Sequence, residues 1–287
     1  MAAFITYVIA ETNNSNMLIR TRSRMVASVW VFGMACLGML HPFHPSILPA
    51  FCMGVSHYLL FRTYQRTQPV VDVFHTFVML AVGSIVFPPM VFLMPFYLWY
   101  LLVFMRSLTF RAFCAAWVGS LFPFWLWSGW LIWEGDLQPL VGWWQELRTV
   151  NLDMLRMEFP NFTFSALSLS FLVLAAFVLW TGIAYLLHSF NDKIRTRMMF
   201  YIYIMQSSLI LLFAVLFHTP EMLHNLLPLL LVCASPLLAH YFTLTNTWVC
   251  LIVFWLFLLA FAGLGVLTLF PESPFVINFV NPALHIG

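Results

Sequence analysis

The chain has 287 residues, of which 63% are hydrophobic and only 8% are charged, and its mean hydropathy is +0.94. A soluble globular domain carries about 25% charged residues, so this composition excludes that class and predicts a polytopic integral membrane protein whose first partner is the lipid bilayer. The net charge of +2 is small and predicts no nucleic-acid partner.

The first 24 residues precede the first long apolar stretch. Their own apolar run, 2–10, is short, and no basic residue stands before it, unlike the basic start of a secretory signal peptide. We therefore assign residues 1–24 to a cytoplasmic N-terminal segment, for which the membrane surface is one available position.

Nine apolar stretches come next, and each has at least the roughly 17 residues that a spanning helix needs. Together they predict an all-α transmembrane bundle over residues 25–270. Several stretches are close to the minimum length, which predicts either fairly upright helices or a locally thin bilayer. The stretches are 25–41, 46–62, 69–87, 89–105, 112–133, 163–187, 198–217, 223–242 and 247–270.

The basic residues predict the orientation, because Lys and Arg resist translocation and stay on the cytoplasmic side. Ten of the twelve fall at one set of span ends, and the other two, Arg148 and Arg156, lie in the longest loop. An even number of crossings must separate two cytoplasmic clusters, so Pro88-Pro89 is predicted to form an outer turn. The result is an N-in, C-out topology in which residues 271–287 form an extracytoplasmic tail.

The longest outer segment, 134–162, follows the fifth stretch. Leu140, Trp143, Leu147, Val150 and Met154 recur every three or four residues with charged residues between them, which predicts an amphipathic helix between spans five and six. The simpler interpretation is a helix lying on the outer membrane surface. The functional interpretation is a lid or a helix that docks a partner.

One candidate polar cluster lies near the cytoplasmic ends of the second and third stretches. Asp72 and His75 are three residues apart and share a helix face, and His57 on the preceding antiparallel helix has a similar depth. An ionisable group inside a membrane is a functional candidate by default. The alternative is that Asp72 reaches the interface and pairs with Arg62 or Arg66.

A second candidate lies in the outer loops. Four imidazoles and one carboxylate at a common level are a potential divalent-metal site, but neither loop has a diagnostic ligand spacing. The local pattern is also typical of a helix start, with an N-cap Thr219 followed by Pro220, so we predict no metal. The residues are His41, His44, His218, Glu221 and His224.

The chain carries no established catalytic or cofactor motif. The five cysteines lie in apolar runs without a C-x-x-C, so we predict no disulfide. A phosphate-binding loop, a zinc-protease motif, a nucleophile elbow and a dinucleotide fingerprint are all missing from the sequence. We therefore predict no cofactor and no catalytic residue, and the enzyme question stays open with a non-enzyme favoured.

Three stretches carry a resemblance to known sequences. They are Arg111-Ala112-Phe113 leading into 118–123, the entry 193–197, and the segment 236–242. In these the chain resembles an uncharacterised family of polytopic inner-membrane proteins from Bacteroidota, over most of its length. The resemblance implies a bacterial cytoplasmic membrane and brings no activity with it.

Three functions fit these observations. The leading hypothesis is a non-enzymatic subunit or scaffold of an envelope complex, with other membrane or envelope proteins as partners, because ionisable groups are few and the cytoplasmic loops are small. The second is a transporter or lipid flippase that uses Asp72, His75 and His57 as a proton-linked cluster. The third is a membrane enzyme acting on lipid-linked substrates. A hydrated central cavity favours the second hypothesis, and a solid bundle with a grooved side favours the first.

Overall fold

The protein is all-helical in the residues that the computed structural model describes, which are 1–19, 23–38, 46–156, 166–216, 220–245 and 247–269. A 3-10 helix, Pro88–Leu93, directly precedes the fifth of the α-helices. The α-helices are α1 (Ala2–Asn16), α2 (Met25–Cys36), α3 (Ile47–Arg62), α4 (Val70–Val86), α5 (Met94–Val103), α6 (Phe110–Glu134), α7 (Gln138–Arg156), α8 (Ala166–His188), α9 (Ile194–Leu216), α10 (Pro220–Leu244) and α11 (Trp248–Leu269).

A helix stands at each of the nine predicted spans. Within the described residues, five helices (α6, α8, α9, α10 and α11) are long and apolar enough to cross a membrane. The other four apolar segments are shorter: Met25–Cys36, Ile47–Arg62, Val70–Val86 and Pro88–Val103. The all-α prediction is confirmed and the apolar helices are compatible with a membrane protein, while nine crossings and their orientation stay predictions.

Helix α10 lies in the middle of the bundle, where it packs against α2, α3, α8 and α9. The most apolar 18-residue stretch of α10 is 83% buried within the protein. Pro236 lies inside this helix and has no N–H, so the carbonyl of Val232 loses its usual partner. The Ser235 hydroxyl donates to that carbonyl oxygen at 3.3 Å, which satisfies it without a neighbouring helix.

Helix α1, which lies within the segment 1–24 that is predicted to be cytoplasmic, packs against α2 and α3. Ile5 and Ile9 are buried, as is Asn16. The polar side chains of α1 bond to its own turns, as when the Thr12 hydroxyl donates to the Val8 carbonyl at 2.7 Å. These internal bonds let a helix with several polar residues lie between apolar neighbours.

Loops that are far apart in sequence meet at one end of the bundle. The Gln65 N–H donates to the Met105 carbonyl at 2.9 Å, which ties the α3–α4 loop to the loop after α5. The Arg195 guanidinium donates to the Asn16 side chain at 2.8 Å and lies over the Tyr64 ring. The clusters around Arg62, Arg106 and Arg195 therefore share one end, here called the basic end.

Helix α6 lies at the edge of the bundle and packs chiefly against α4. The helix begins at the N-cap Thr109, whose hydroxyl accepts a bond from the Ala112 N–H. Its buried residues are small or compact over most of this contact, and a Cβ on Gly119 would lie 2.5 Å from the Phe74 carbonyl oxygen. Only 22% of the most apolar 18-residue stretch of α6 is buried within the protein.

Helix α7 docks on the end of the bundle opposite to the basic end. The Ser84 carbonyl belongs to the last turn of α4 and has no partner within that helix. The Trp143 indole N–H donates to it at 2.8 Å, and the ring packs edge-on against Phe124. Leu140 and Leu147 lie on this same half-buried face while the neighbouring positions are exposed, so the described part of α7 is amphipathic as predicted.

Candidate functional site

Asp72 forms ion pairs with two arginines. One carboxylate oxygen lies 3.0 Å from Arg66 and the other lies 3.6 Å from Arg62. The Asp72 side chain is largely buried, while both guanidinium groups reach solvent. These contacts match the alternative in which Asp72 reaches the interface and anchors α4 to the end of α3.

The two histidines of the predicted cluster face different surroundings. His75 is exposed, and its Nδ1 lies 2.9 Å from the Val71 carbonyl of its own helix. His57 is buried, and its described contacts are to aromatic rings and a backbone carbonyl. The contacts of Asp72, His75 and His57 thus do not join them into one site.

His57 belongs to a sealed aromatic centre between α3, α5 and α9. Its Nδ1 lies 2.8 Å from the Met53 carbonyl. The Tyr97 hydroxyl lies 3.3 Å from the imidazole, and the Tyr203 ring stacks on it with centroids 5.1 Å apart. Phe61 packs edge-on against both His57 and Tyr203. Each of these side chains is almost wholly buried, so this part of the bundle is filled.

The polar residues of α9 bond mostly within this centre. The Tyr100 hydroxyl donates to the Gln206 side-chain oxygen at 3.2 Å, and the Ser207 hydroxyl donates to the Tyr203 carbonyl at 2.7 Å. The Gln206 amide nitrogen is buried without a hydrogen-bond partner among the described residues. Such side chains commonly hold helices together in membranes.

The predicted outer histidine cluster falls largely outside the described residues. His41, His44 and His218 are not described, and neither is the side chain of Glu221. His224 is described and is half-buried in the second turn of α10. In the described part of the chain, no group of three His, Cys, Asp or Glu side chains is placed to hold a metal ion.

Asp192 and His240 meet beside α10. Neither is among the predicted site residues. The Nε2 atom of His240 lies 3.0 Å from a carboxylate oxygen of Asp192. The two side chains are only 14% and 7% exposed, so this pair is better shielded from solvent than the arginines around Asp72. The Phe200 and Tyr185 rings pack edge-on against the imidazole and hold its plane.

The Asp192–His240 pair lies in a cleft of about 840 Å³ between α8, α10 and the start of α11. We call it the α8–α11 cleft. Its outer walls are apolar and face away from the bundle, and its polar lining includes His188, Asp192, Thr245 and Thr247. Its lining includes Trp180, Ile183, Leu187, Tyr185, Tyr241 and Val249.

Two features of the sequence point to this pair. His240 lies in the last two turns of a long apolar helix, and Asp192 lies two residues before α9. The charge pattern predicts that both segments lie at the cytoplasmic side, and therefore that their depths are similar. The packing of α8 beside α10 is not readable, and this packing brings the two side chains together.

Comparisons with protein-family models, with curated proteins and with solved structures find no significant match to the chain.

Proposed function

We propose that the protein is a multi-pass protein of a bacterial cytoplasmic membrane that serves as a non-enzymatic subunit or scaffold of an envelope complex. The observation that carries this proposal is the filled centre of the bundle. His57, Tyr97, Tyr203 and Phe61 pack together there, and their contacts among the described residues include no charged side chain. The cleft between α8, α10 and α11 instead opens at the side of the bundle.

A carrier needs a route through the bundle and groups that bind its substrate along that route. The proton-linked alternative assigns this role to Asp72, His75 and His57. Asp72 is paired with arginines and His57 is enclosed by aromatic rings, so the contacts favour anchoring and packing roles. A solid bundle leaves its outer surfaces as the place for function.

The outward face of α6 is the surface that best fits a partner. This helix leans on α4 and leaves a broad face of large aromatic and aliphatic side chains exposed, including Trp117, Leu121 and Trp125. Aromatic residues are enriched in protein interfaces. Helix α7 covers the adjoining end of the bundle and extends this surface.

The basic end is cytoplasmic in this proposal, following the positive-inside rule. Helix α1 then runs from Ala2, beside Met34 in the last turn of α2, back to Asn16 at the basic end. The first residue consequently lies toward the outer side, which departs from the N-in topology that charge alone predicts.

Site-specific photocross-linking in intact membranes tests the role as a subunit. A photoreactive phenylalanine analogue at Leu121 or Trp125 on α6 is expected to cross-link to one defined protein. The same analogue at Leu179 on α8 is the matched control, because that side chain is also apolar and about half exposed. We expect no protein cross-link from α8.

Two results contradict the proposal. One is that both helices yield only lipid adducts and the purified protein runs as a monomer in mild detergent. The other is substrate-dependent flux through reconstituted vesicles, which would establish a transporter.

A further inference from the structure

We propose that the α8–α11 cleft binds one anionic phospholipid, with the phosphate beside Lys193, Arg197 and His240 and an acyl chain along α8 and α11. This inference rests on the membrane embedding proposed above but not on the role as a subunit. It assigns a ligand class to a cleft that the proposed function leaves unused.

The walls of the cleft fit an acyl chain. Trp180, Ile183 and Leu187 from α8 line it, and each is about half exposed or more on the outer side of the bundle. Val249 from α11 is also about half exposed and lies across from them. Because these side chains face outward from apolar helices, the cleft opens sideways toward the hydrocarbon part of the membrane.

The volume favours a small amphiphile over a partner helix. Small-molecule sites usually enclose about 300–1,000 Å³, and this cleft encloses about 840 Å³. A helix about 10 Å across and three turns long occupies roughly 1,300 Å³, which is more than the cleft holds. One lipid chain with its head group is the better match.

The charge at the loop end fits a phosphate. His240 already pairs with Asp192, and Tyr185 lies against the same carboxylate. Lys193 follows Asp192 in the chain and is exposed, and Arg197, one turn into α9, is close enough to Tyr185 to act on it electrostatically. The formal charges of Lys193, Arg197 and Asp192 add up to +1, and protonation of His240 would raise the total to +2. This net positive charge attracts an anion rather than an ammonium group.

Arg197, whose charge acts on the Tyr185 side chain of the cleft wall, carries a further donor. The Nε–H of Arg197 is buried without a hydrogen-bond partner among the described residues. Guanidinium and ammonium groups form short, charge-assisted bonds with phosphate oxygens, and juxtamembrane basic residues attract anionic lipids. Lys193 and Arg197 do not line the cleft themselves, but they adjoin Asp192 and Tyr185, which do.

Lipid retention in nanodiscs tests the inference. The full-length protein is reconstituted in an equal mixture of phosphatidylglycerol and phosphatidylcholine, and bound lipid is counted by native mass spectrometry after release. The wild type is expected to retain one phosphatidylglycerol. Ala184→Phe, which fills the cleft, and Lys193→Gln, which removes an exposed charge, are each expected to lower the retained fraction about tenfold.

Two controls separate this site from the general lipid shell. Val215→Phe introduces the same side chain at an exposed position on α9, and Arg62→Gln removes a charge at the same end of the bundle but away from the cleft. Both are expected to retain the lipid. Equal loss in the controls and the cleft variants, or equal retention of both lipids by the wild type, overturns the inference.

Adding inorganic phosphate to the same assay distinguishes a lipid site from a site for free phosphate. Millimolar inorganic phosphate is expected to leave the bound phosphatidylglycerol in place, because the chain supplies much of the contact. Displacement by phosphate alone would show a soluble-anion site and contradict the proposal. Loss of lipid binding with intact α6 cross-links would remove this inference and leave the proposed function standing.

Discussion

Helices α10 and α6 are both 25 residues long, both contain proline and both are apolar enough to cross a membrane. Yet the most apolar 18-residue stretch of α10 is 83% buried in the protein, whereas the corresponding stretch of α6 is only 22% buried. Mean hydropathy therefore indicates that a helix belongs in a bilayer but not whether its neighbour is protein or lipid.

The difference follows from where small and polar residues fall. Helix α10 has Cys233, Ala234, Ser235 and Ala239 in its C-terminal half, so other helices approach it from several sides. Helix α6 confines its buried small residues to one stripe against α4. Small residues permit close helix contact in membranes, and their distribution around the helix sets how many neighbours it has.

The largest effect is expected from a cavity in α10. Leu230→Ala should lower the free energy of unfolding by about 2 kcal/mol or more, because Leu230 is fully buried and its neighbours cannot collapse completely. Leu121→Ala on the exposed face of α6 should stay within about 0.5 kcal/mol of wild type. Unfolding in mixed micelles with an increasing fraction of dodecyl sulfate measures the free energy of unfolding of both variants. Equal losses in the two variants would contradict the difference between α10 and α6.

A smaller but sharper effect is expected where α6 touches α4. Gly119→Ala should cost about 1–3 kcal/mol, because its new methyl group would lie 2.5 Å from the Phe74 carbonyl oxygen. Gly129→Ala on the same helix meets nothing within 4 Å and is the matched control. Proteolysis of the loop after α5 reports whether α6 detaches, and identical protection in the two variants would count against the close contact.

The docking of α7 should depend on a single hydrogen bond. Trp143→Phe keeps an aromatic ring but loses the donor to the Ser84 carbonyl, at a cost of about 1 kcal/mol. Trp144→Phe changes a neighbour that is exposed and should have no effect. Hydrogen exchange of the 138–148 amides measures the docking, and unchanged exchange in the Trp143 variant would contradict it.

The smallest effect is expected at Asp72. Asp72→Asn should cost at most about 1 kcal/mol, since its arginine partners reach solvent and remain hydrated without it. His75→Gln changes an exposed ring and should cost less. Complex formation and unfolding assayed from acidic to neutral pH check both variants. Loss of function in both, with normal insertion, would revive the proton-linked cluster.

The sequence was sufficient for the all-helical class and for the positions of the apolar helices, because both depend on local composition. The amphipathic character of 138–148 was also readable from its spacing. The role of Asp72 was readable only as two alternatives, since the rotamers of Arg62 and Arg66 decide between them.

The Asp192–His240 pair was missed because it depends on long-range packing. Forty-eight residues separate the two side chains, and only the approach of α8 and α10 makes them neighbours. The packing of α1 against α2 and α3 could not be predicted for a related reason. Its polar residues, such as Thr12 and Asn16, bond within the helix, so composition alone makes the segment look more exposed than it is.

The most direct test of the account asks whether water reaches the centre of the bundle. Hydroxyl-radical footprinting in membranes labels side chains that touch water, and Met53 and Met17 form a matched pair because one is fully buried beside His57 and the other is 74% exposed. The account predicts oxidation of Met17 and protection of Met53, Tyr97 and Tyr203. Oxidation of Met53 and both tyrosines at a rate close to that of Met17 would reveal a hydrated path and contradict a solid bundle that works through its outer surfaces.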